Sequence, residues 1–281
     1  MINNPKILII PDIHGRKFWK SAIQSFPHDL YPELQIIFLG DYLDPYVDYD
    51  GISKEEAFDN FEDIIDYAKR DNRIRLLIGN HDWHYFVNCD NCRIDRARAK
   101  DIENIFKENM NMFSLLEIVD INEIKYIFSH AGITSGWINS IIYMAKYEIE
   151  NWKTTEEFPI KEEDPRYIWI LEISKLNETN NYEILNECLK NYSDNFYSCI
   201  PSMISSERGG YFAYGSLIWA DVHEHLWASE DLQGFYQIFG HTYSFPNGTA
   251  NFAISINDRP WAMLDCGKAF ILDSIGNIEQ I

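Results

Sequence analysis

Leu39-Gly40-Asp41-Tyr42-Leu43-Asp44 ends an apolar run (QIIFL, residues 35–39) and turns abruptly polar. Two other stretches behave alike. Pro11-Asp12-Ile13-His14-Gly15 follows residues 6–10 (KILII), and Gly79-Asn80-His81-Asp82 follows residues 74–78 (IRLLI). A strand that stops at a carboxylate, imidazole or amide delivers that group to the carboxyl edge of a sheet. Three deliveries in succession build one site from several strand ends, with Asp41 at its middle.

Outward from these blocks, the chain reads as α/β. Residues 16–26 have helical spacing, with Phe18, Trp19, Ala22 and Ile23 on one face. Residues 45–51, rich in Asp and Tyr, read as a loop. Ser53 with Glu56 three positions on has the form of a capping box, and the amphipathic run 54–69 behind it reads as a helix. Strands separated by helices predict βαβ units and a parallel start to the sheet. Residues 93–110 read as helical, and 125–129 (KYIFS) as a fourth strand ending at His130-Ala131-Gly132. From 134 to about 199 the strand-end signals vanish, and charges, Asn and Trp mix at helical spacing. This predicts one domain over 1–281, with a core of 1–133 and 200–281 and a helical insertion at about 134–199 that Trp137, Trp152 and Trp169 pack onto the core. Residues 235–239 lead to Gly240-His241-Thr242, and 250–256, 262–265 and 269–272 read as short strands.

Composition limits what this site serves. The chain has 281 residues, 46 % of them hydrophobic, enough to bury a sizeable core. A net charge of −20 repels nucleic-acid backbones, so bulk nucleic-acid binding is not expected. An anionic substrate then needs local positive charge. No apolar run approaches the ~20 residues of a membrane span, and no leader pattern opens the chain. The five cysteines are thinly spread. Cys89 and Cys92 form a lone C-x-x-C without the second pair a zinc site wants, so they read as reduced loop thiols in a cytoplasmic protein.

Taken together, Asp12, His14, Asp41, Asn80, His130 and His241 offer two carboxylates, an amide oxygen and three imidazoles, with no thiolate. Such a set suits Mn, Fe, Zn or Ni. A bridging Asp touches two ions with its two oxygens, and two ions roughly 3.5–4 Å apart clamp a phosphoryl group for in-line attack.

Asp12-x-His14-Gly15, Gly40-Asp41-x-x-Asp44, Gly79-Asn80-His81-Asp82, His130-Ala131-Gly132 and Gly240-His241-Thr242 resemble, in order, the blocks of the calcineurin-like metallophosphoesterases. The resemblance spans residues 7–132 and roughly 205–267, and leaves the insertion unmatched. It implies a four-layer α/β sandwich of two mixed sheets flanked by helices, with two divalent ions at the strand ends. Carried over, Asp12 and His14 hold the first ion, Asp41 bridges, and Asn80, His130 and His241 hold the second. Asn80 also reaches substrate. His81 is the implied general acid, oriented by Asp44.

Two positions depart from the family pattern. Tyr243 stands where many members carry a second His, and in this it resembles the phosphoprotein-phosphatase branch and the symmetrical diadenosine-tetraphosphate hydrolases, which lack that ligand. That branch continues its second block with Arg-Gly, whereas this chain reads Pro45-Tyr46. Arg208, in Glu207-Arg208-Gly209-Gly210, is the alternative phosphate ligand, weighed equally against a surface arginine. Arg16 is a weaker one, read as opening a helix.

Other polar residues have plainer readings. His84 is a residue behind the site or on the surface, His28 needs no function, and His223 and His225 form a solvated segment. Asp44, Asp48 and Asp50 lack the Gly and Glu of a calcium loop and read as an acidic lip. The expected activity is hydrolysis of phosphomonoesters, on a phosphoprotein or a small phosphorylated metabolite. Dinucleoside polyphosphate hydrolysis and phosphodiester hydrolysis are the alternatives, and a catalytically silent metal-binding scaffold the non-enzymatic one.

Overall fold

The computed structural model describes residues 4–87, 93–154, 162–228, 230–243 and 259–281. Two sheets carry the fold. The larger has the strand order β10-β9-β1-β2-β3-β4: β1 (Pro5–Ile10), β2 (Gln35–Phe38), β3 (Ile74–Leu77), β4 (Phe113–Ser114), β9 (Phe270–Asp273) and β10 (Ile278–Gln280). The smaller has the order β5-β6-β7-β8: β5 (Leu116–Ile121), β6 (Ile124–Ser129), β7 (Tyr236–Phe239) and β8 (Trp261–Met263). β1 to β4 run parallel, as do β6 to β8, while β9, β10 and β5 join antiparallel. Both sheets are therefore mixed, and the βαβ start expected from the first three runs is present.

Residue alternation stacks the sheets. In β1, Ile7 and Ile9 face one way and Leu8 and Ile10 the other, because successive side chains point to opposite faces. Ile7, Ile9, Ile37, Leu39 and Leu77 meet Phe128, Ile238, Ala262 and Leu264 of the second sheet in one buried cluster. Leu8, Ile10, Ile36 and Phe38 join a separate core with the helices. The helix Lys54–Arg70 buries Ala57, Asn60, Phe61, Ile64 and Ile65 along one stripe. Its N-terminus carries the capping box of Ser53 and Glu56 in both directions. The helix Val222–Trp227 covers Phe239, Trp261 and Met263 on the outside of the smaller sheet. Helix, sheet, sheet and helix make the four layers that the resemblance implies.

Helices Ser135–Thr154, Pro165–Ile173 and shorter turns up to Ser198 occupy the stretch read as helical, with Trp137 and Trp169 buried in the main core and Trp152 packed against it. Several readings are corrected. Residues 45–51 contain a helical turn, Val47–Asp50, closed by Gly51 in the left-handed region. The helix expected over 93–110 starts only at Ala99 and is followed by a 3-10 turn, Met110–Met112. β4, β5 and β10 were not foreseen. The strand expected at 250–256 and the Cys89/Cys92 pair lie outside the described residues. Among the described residues, no helix is long and apolar enough to cross a membrane.

Candidate metal centre

The carboxyl ends of β1, β2, β3, β6 and β7 meet at one place, and β1, β2 and β7 leave through sharp turns. His14, Asp41, Asp44 and His241 have φ of 44°, 53°, 57° and 69°. This left-handed region is costly for residues other than glycine, and it turns each side chain back over its strand end. Hydrogen bonds hold the turns. His14 N and Ile13 N donate to Asp41 O at 2.7 and 3.2 Å. Asp82 accepts from the backbone N–H groups of Asp41, Tyr42 and Gly79 at 2.7, 3.0 and 2.8 Å, tying the second block to the third. Tyr42 points away from the site, into the core, and its hydroxyl donates to Leu77 O at 2.8 Å.

Two glycines make room for carboxylates. A Cβ on Gly79 would lie 2.1 Å from Asp41 Oδ1, and one on Gly240 would lie 2.0 Å from Asp12 Oδ1.

Six side chains converge. Asp12, His14 and Asp41 bring their ligand atoms within 4.8 Å of one another, as do Asp41, His130 and His241, so that Asp41 belongs to both groups. His14 Nε2 lies 3.4 Å and His130 Nε2 3.5 Å from Asp41 Oδ2. Asn80 Oδ1 is 3.0 Å from His130 Nε2 and 2.9 Å from His241 Nδ1. Asp12, His14, Asp41, Asn80 and His130 are buried.

The ring orientations fit a cation. His14 Nδ1 is 2.9 Å from Leu43 O, and His130 Nδ1 is 2.8 Å from Leu39 O. A carbonyl only accepts, so each Nδ1 carries a proton and donates it. In the neutral ring, Nε2 then turns a bare lone pair inward, the arrangement in which a carbonyl orients a ligating histidine. Burial holds the His14 and His241 imidazoles well below their ordinary pKa, aided by the neighbouring His81 and Arg93 for the first and Arg208 for the second. Burial also pushes the Asp41 carboxyl up to about 7, against the pull of His130, and Asp12 adds to the rise. Lone pairs crowded together in a dry site are stabilised by a positive ion among them. Both groups therefore fit divalent ions, as a dinuclear centre requires.

His81 lies beside this cluster, its ring 5.2 Å from that of His14. Its Nδ1 is 2.9 Å from Asp44 Oδ2, and the Tyr85 hydroxyl donates to the other oxygen of Asp44 at 2.7 Å. Burial, then Arg93, hold the His81 imidazole well below its ordinary pKa. Asp44 is thus a buried, doubly hydrogen-bonded carboxylate, not part of an acidic lip. Asp50 pairs with Arg16 at 2.9 Å, and Arg16 also lies over the Tyr243 ring at 5.3 Å instead of opening the helix, which starts at Phe18. Arg16, Tyr46, Tyr49, Asp50 and Tyr243 line a cleft of about 400 Å³ next to His14.

Arg208 does not touch the cluster directly. Its Nη2 donates to Thr242 Oγ1 at 2.7 Å and its Nε lies 2.8 Å from Asp221 Oδ2, which places it behind His241. His84 is buried, its ring 6.1 Å from that of His81. His225 is also buried, stacked on Phe239 with Nε2 donating to Ala131 O at 3.0 Å, and burial lowers its pKa to about 4. The solvated reading holds only for His223.

Sequence reasoning overlooked Tyr85, Arg93 and Asp265. Tyr85 had a usable signal, since it lies four residues after His81 and shares its helix face. Arg93 and Asp265 belong to no block. Asp265 is buried, and burial with Asp12 nearby raises its carboxyl far above the ordinary range.

No curated protein matches the chain. Among solved structures, a cold-active protein tyrosine phosphatase is similar at 15 % identity and a TM-score of 0.45, over 99 % of this chain and 79 % of that one. The family model for the calcineurin-like phosphoesterases matches residues 5–264, a span that includes every strand end described above. The chain belongs to the calcineurin-like phosphoesterase family of hydrolases.

Proposed function

We propose that the protein is a phosphomonoesterase that uses two divalent ions, drawn from Mn, Fe, Zn or Ni, on a phosphoprotein or a small phosphorylated metabolite. The whole chain acts as one catalytic domain, with residues 134–199 as an insertion on it. Asp12 and His14 would hold one ion, Asn80, His130 and His241 the other, and Asp41 both. Ions held there lower the pKa of water towards neutrality and offset phosphoryl charge. The rest falls to the side chains. His81 gives a proton from Nε2 to the leaving oxygen. Asp44 fixes the ring by accepting from Nδ1, and Tyr85 fixes Asp44. Asn80 and Arg208 contribute to substrate binding, Arg208 from behind His241.

The observation that carries this reading is the His81–Asp44 pair set against the shared-Asp41 cluster. A metal-binding scaffold has no need of an imidazole oriented by a buried carboxylate. The test is turnover of p-nitrophenyl phosphate and bis-p-nitrophenyl phosphate with Mn, comparing wild type with Asp41→Asn and His81→Ala. Monoester turnover that both substitutions abolish is expected. Turnover indifferent to both, or none on either ester, would remove the enzymatic reading. Preference for the diester would reassign the protein as a phosphodiesterase.

A further inference from the structure

The reactive nitrogen of His81 is already engaged. Arg93 enters from the segment after the helix Asn80–Val87, and its Nη2 lies 2.6 Å from His81 Nε2. Its Nη1 donates to Asp44 O at 3.1 Å. The guanidinium carbon lies over the Tyr46 ring, 3.6 Å from its centroid, and the Tyr46 ring meets His14 edge-on at 5.1 Å. Arg93 therefore sits on an aromatic platform between the proposed acid and the Asp12/His14/Asp41 group.

This geometry sets up a competition. His81 Nδ1 is turned to Asp44, so Nε2 is the nitrogen left to face the reacting atoms. Nε2 has one in-plane site, and Arg93 occupies it. A leaving oxygen must come within hydrogen-bond reach of the same nitrogen. The two cannot hold it together. When a phosphate ester enters, its oxygens lie within the reach of a guanidinium that has to move aside. A phosphoryl dianion is a far better acceptor for that fork than a neutral imidazole, because the hydrogen bonds become charge-assisted and bidentate.

We propose that Arg93 is a ligand for the substrate phosphoryl group, transferring its guanidinium from the Nε2 lone pair of His81 to the phosphoryl oxygens and so opening Nε2 to take up a proton from solvent and to meet the leaving oxygen. Tyr46 is the platform on which it pivots. The inference rests on the phosphoesterase reading, but its test does not depend on turnover.

The experiment is calorimetric titration of inorganic phosphate into Mn-loaded wild type, Arg93→Ala and Arg93→Lys, with metal content measured for each. Arg93→Ala is expected to weaken phosphate at least tenfold at unchanged metal content, and methylguanidine in the buffer to restore part of that loss. Arg93→Lys keeps the charge and the stem but not the fork, and is expected to fall between the two. In p-nitrophenyl phosphate hydrolysis, KM rises with the phosphate dissociation constant. Phosphate binding within twofold of wild type in Arg93→Ala overturns the proposal. Should that variant fail to fold, wild-type affinity in Arg93→Lys overturns it instead. Failure of Mn-loaded wild type to bind phosphate also overturns it. Arg93-dependent binding in a protein that hydrolyses neither ester supports the phosphate site and removes the catalytic reading.

Discussion

Substituting Gly240 by alanine isolates the placement of Asp12. An added Cβ would lie 2.0 Å from Asp12 Oδ1, with the next atoms at 3.2 Å, Asp12 Cγ, and 3.7 Å, His130 O. Ordinary contact begins near 3.4 Å, so the oxygen must retreat by about 1.4 Å. Retreat is constrained, because both Asp12 oxygens accept from His241 N at 3.1 Å. Metal–ligand distances tolerate only about 0.2 Å, and a 1 Å misplacement at a reacting centre costs on the order of 100-fold. Gly240 is not in the left-handed region, so alanine adds no backbone strain there. Gly240→Ala should therefore weaken Mn binding and lower kcat by on the order of 100-fold. Overpacking should cost the metal-free protein about 1–3 kcal/mol. Calorimetric Mn titration, p-nitrophenyl phosphate turnover and thermal melting of the metal-free protein read these separately. Gly234→Ala is the control, with φ of 80° and open space around it, and should lose stability only. Wild-type Mn affinity and kcat in Gly240→Ala would refute the argument that this glycine exists to seat Asp12.

Three further outcomes follow from other parts of the molecule. Tyr85→Phe removes one hydrogen bond to Asp44, worth about 0.5–1.5 kcal/mol; steady-state kinetics should show kcat reduced roughly two- to tenfold at unchanged KM and metal content. Ser53→Ala deletes the capping box of the helix Lys54–Arg70 and should cost about 1 kcal/mol, seen as a lower Tm with activity intact. Burial works against the Asp71 carboxylate, but hydrogen bonds from Arg73, at 2.6 Å for Nη2, outweigh it and hold its pKa below the ordinary value. The pair therefore stabilises the fold fully above about pH 4 and loses that contribution as pH falls through the depressed value. Asp71→Asn should be destabilised by about 3–5 kcal/mol at pH 7, with the gap to wild type closing in acid in denaturant titrations.

The candidate site was legible because each of its groups follows an apolar run, so the strand end and the chemistry share one signal. Asp12, His14, Asp41, Asn80, His130 and His241 converge as that reading required. Residues that reach the site from elsewhere carry no such marker. Arg93 arrives through tertiary contact with Tyr46, His81 and Asp44, and nothing in its neighbours along the chain points there. His225 looked solvated among Asp221, His223 and Glu224, yet the helix Val222–Trp227 turns it inward onto Phe239. β5, Leu116-Glu117-Ile118-Val119-Asp120-Ile121, breaks its alternation at Ile118-Val119, and the polar Asn122-Glu123 after it make a tight turn into β6, so neither periodicity nor a strand-end signal marks it. β4 and β10 span two and three residues, too short for any periodicity to show.

Asp12, His14, Asp41 and Asn80 hang from the larger sheet, and His130 and His241 from the smaller. His130 Nδ1 donating to Leu39 O, and His241 N donating to Asp12, already stitch one sheet to the other. The site therefore works as a gauge of the gap between the sheets. Any change in the packing of Ile9, Leu39, Phe128 and Ile238 moves two of the six donors against the other four. Interior substitutions far from any reacting atom would then be felt as lost chemistry before they are felt as lost folding. The sandwich is free to vary its outer faces, but its inner spacing decides whether the two donor groups meet.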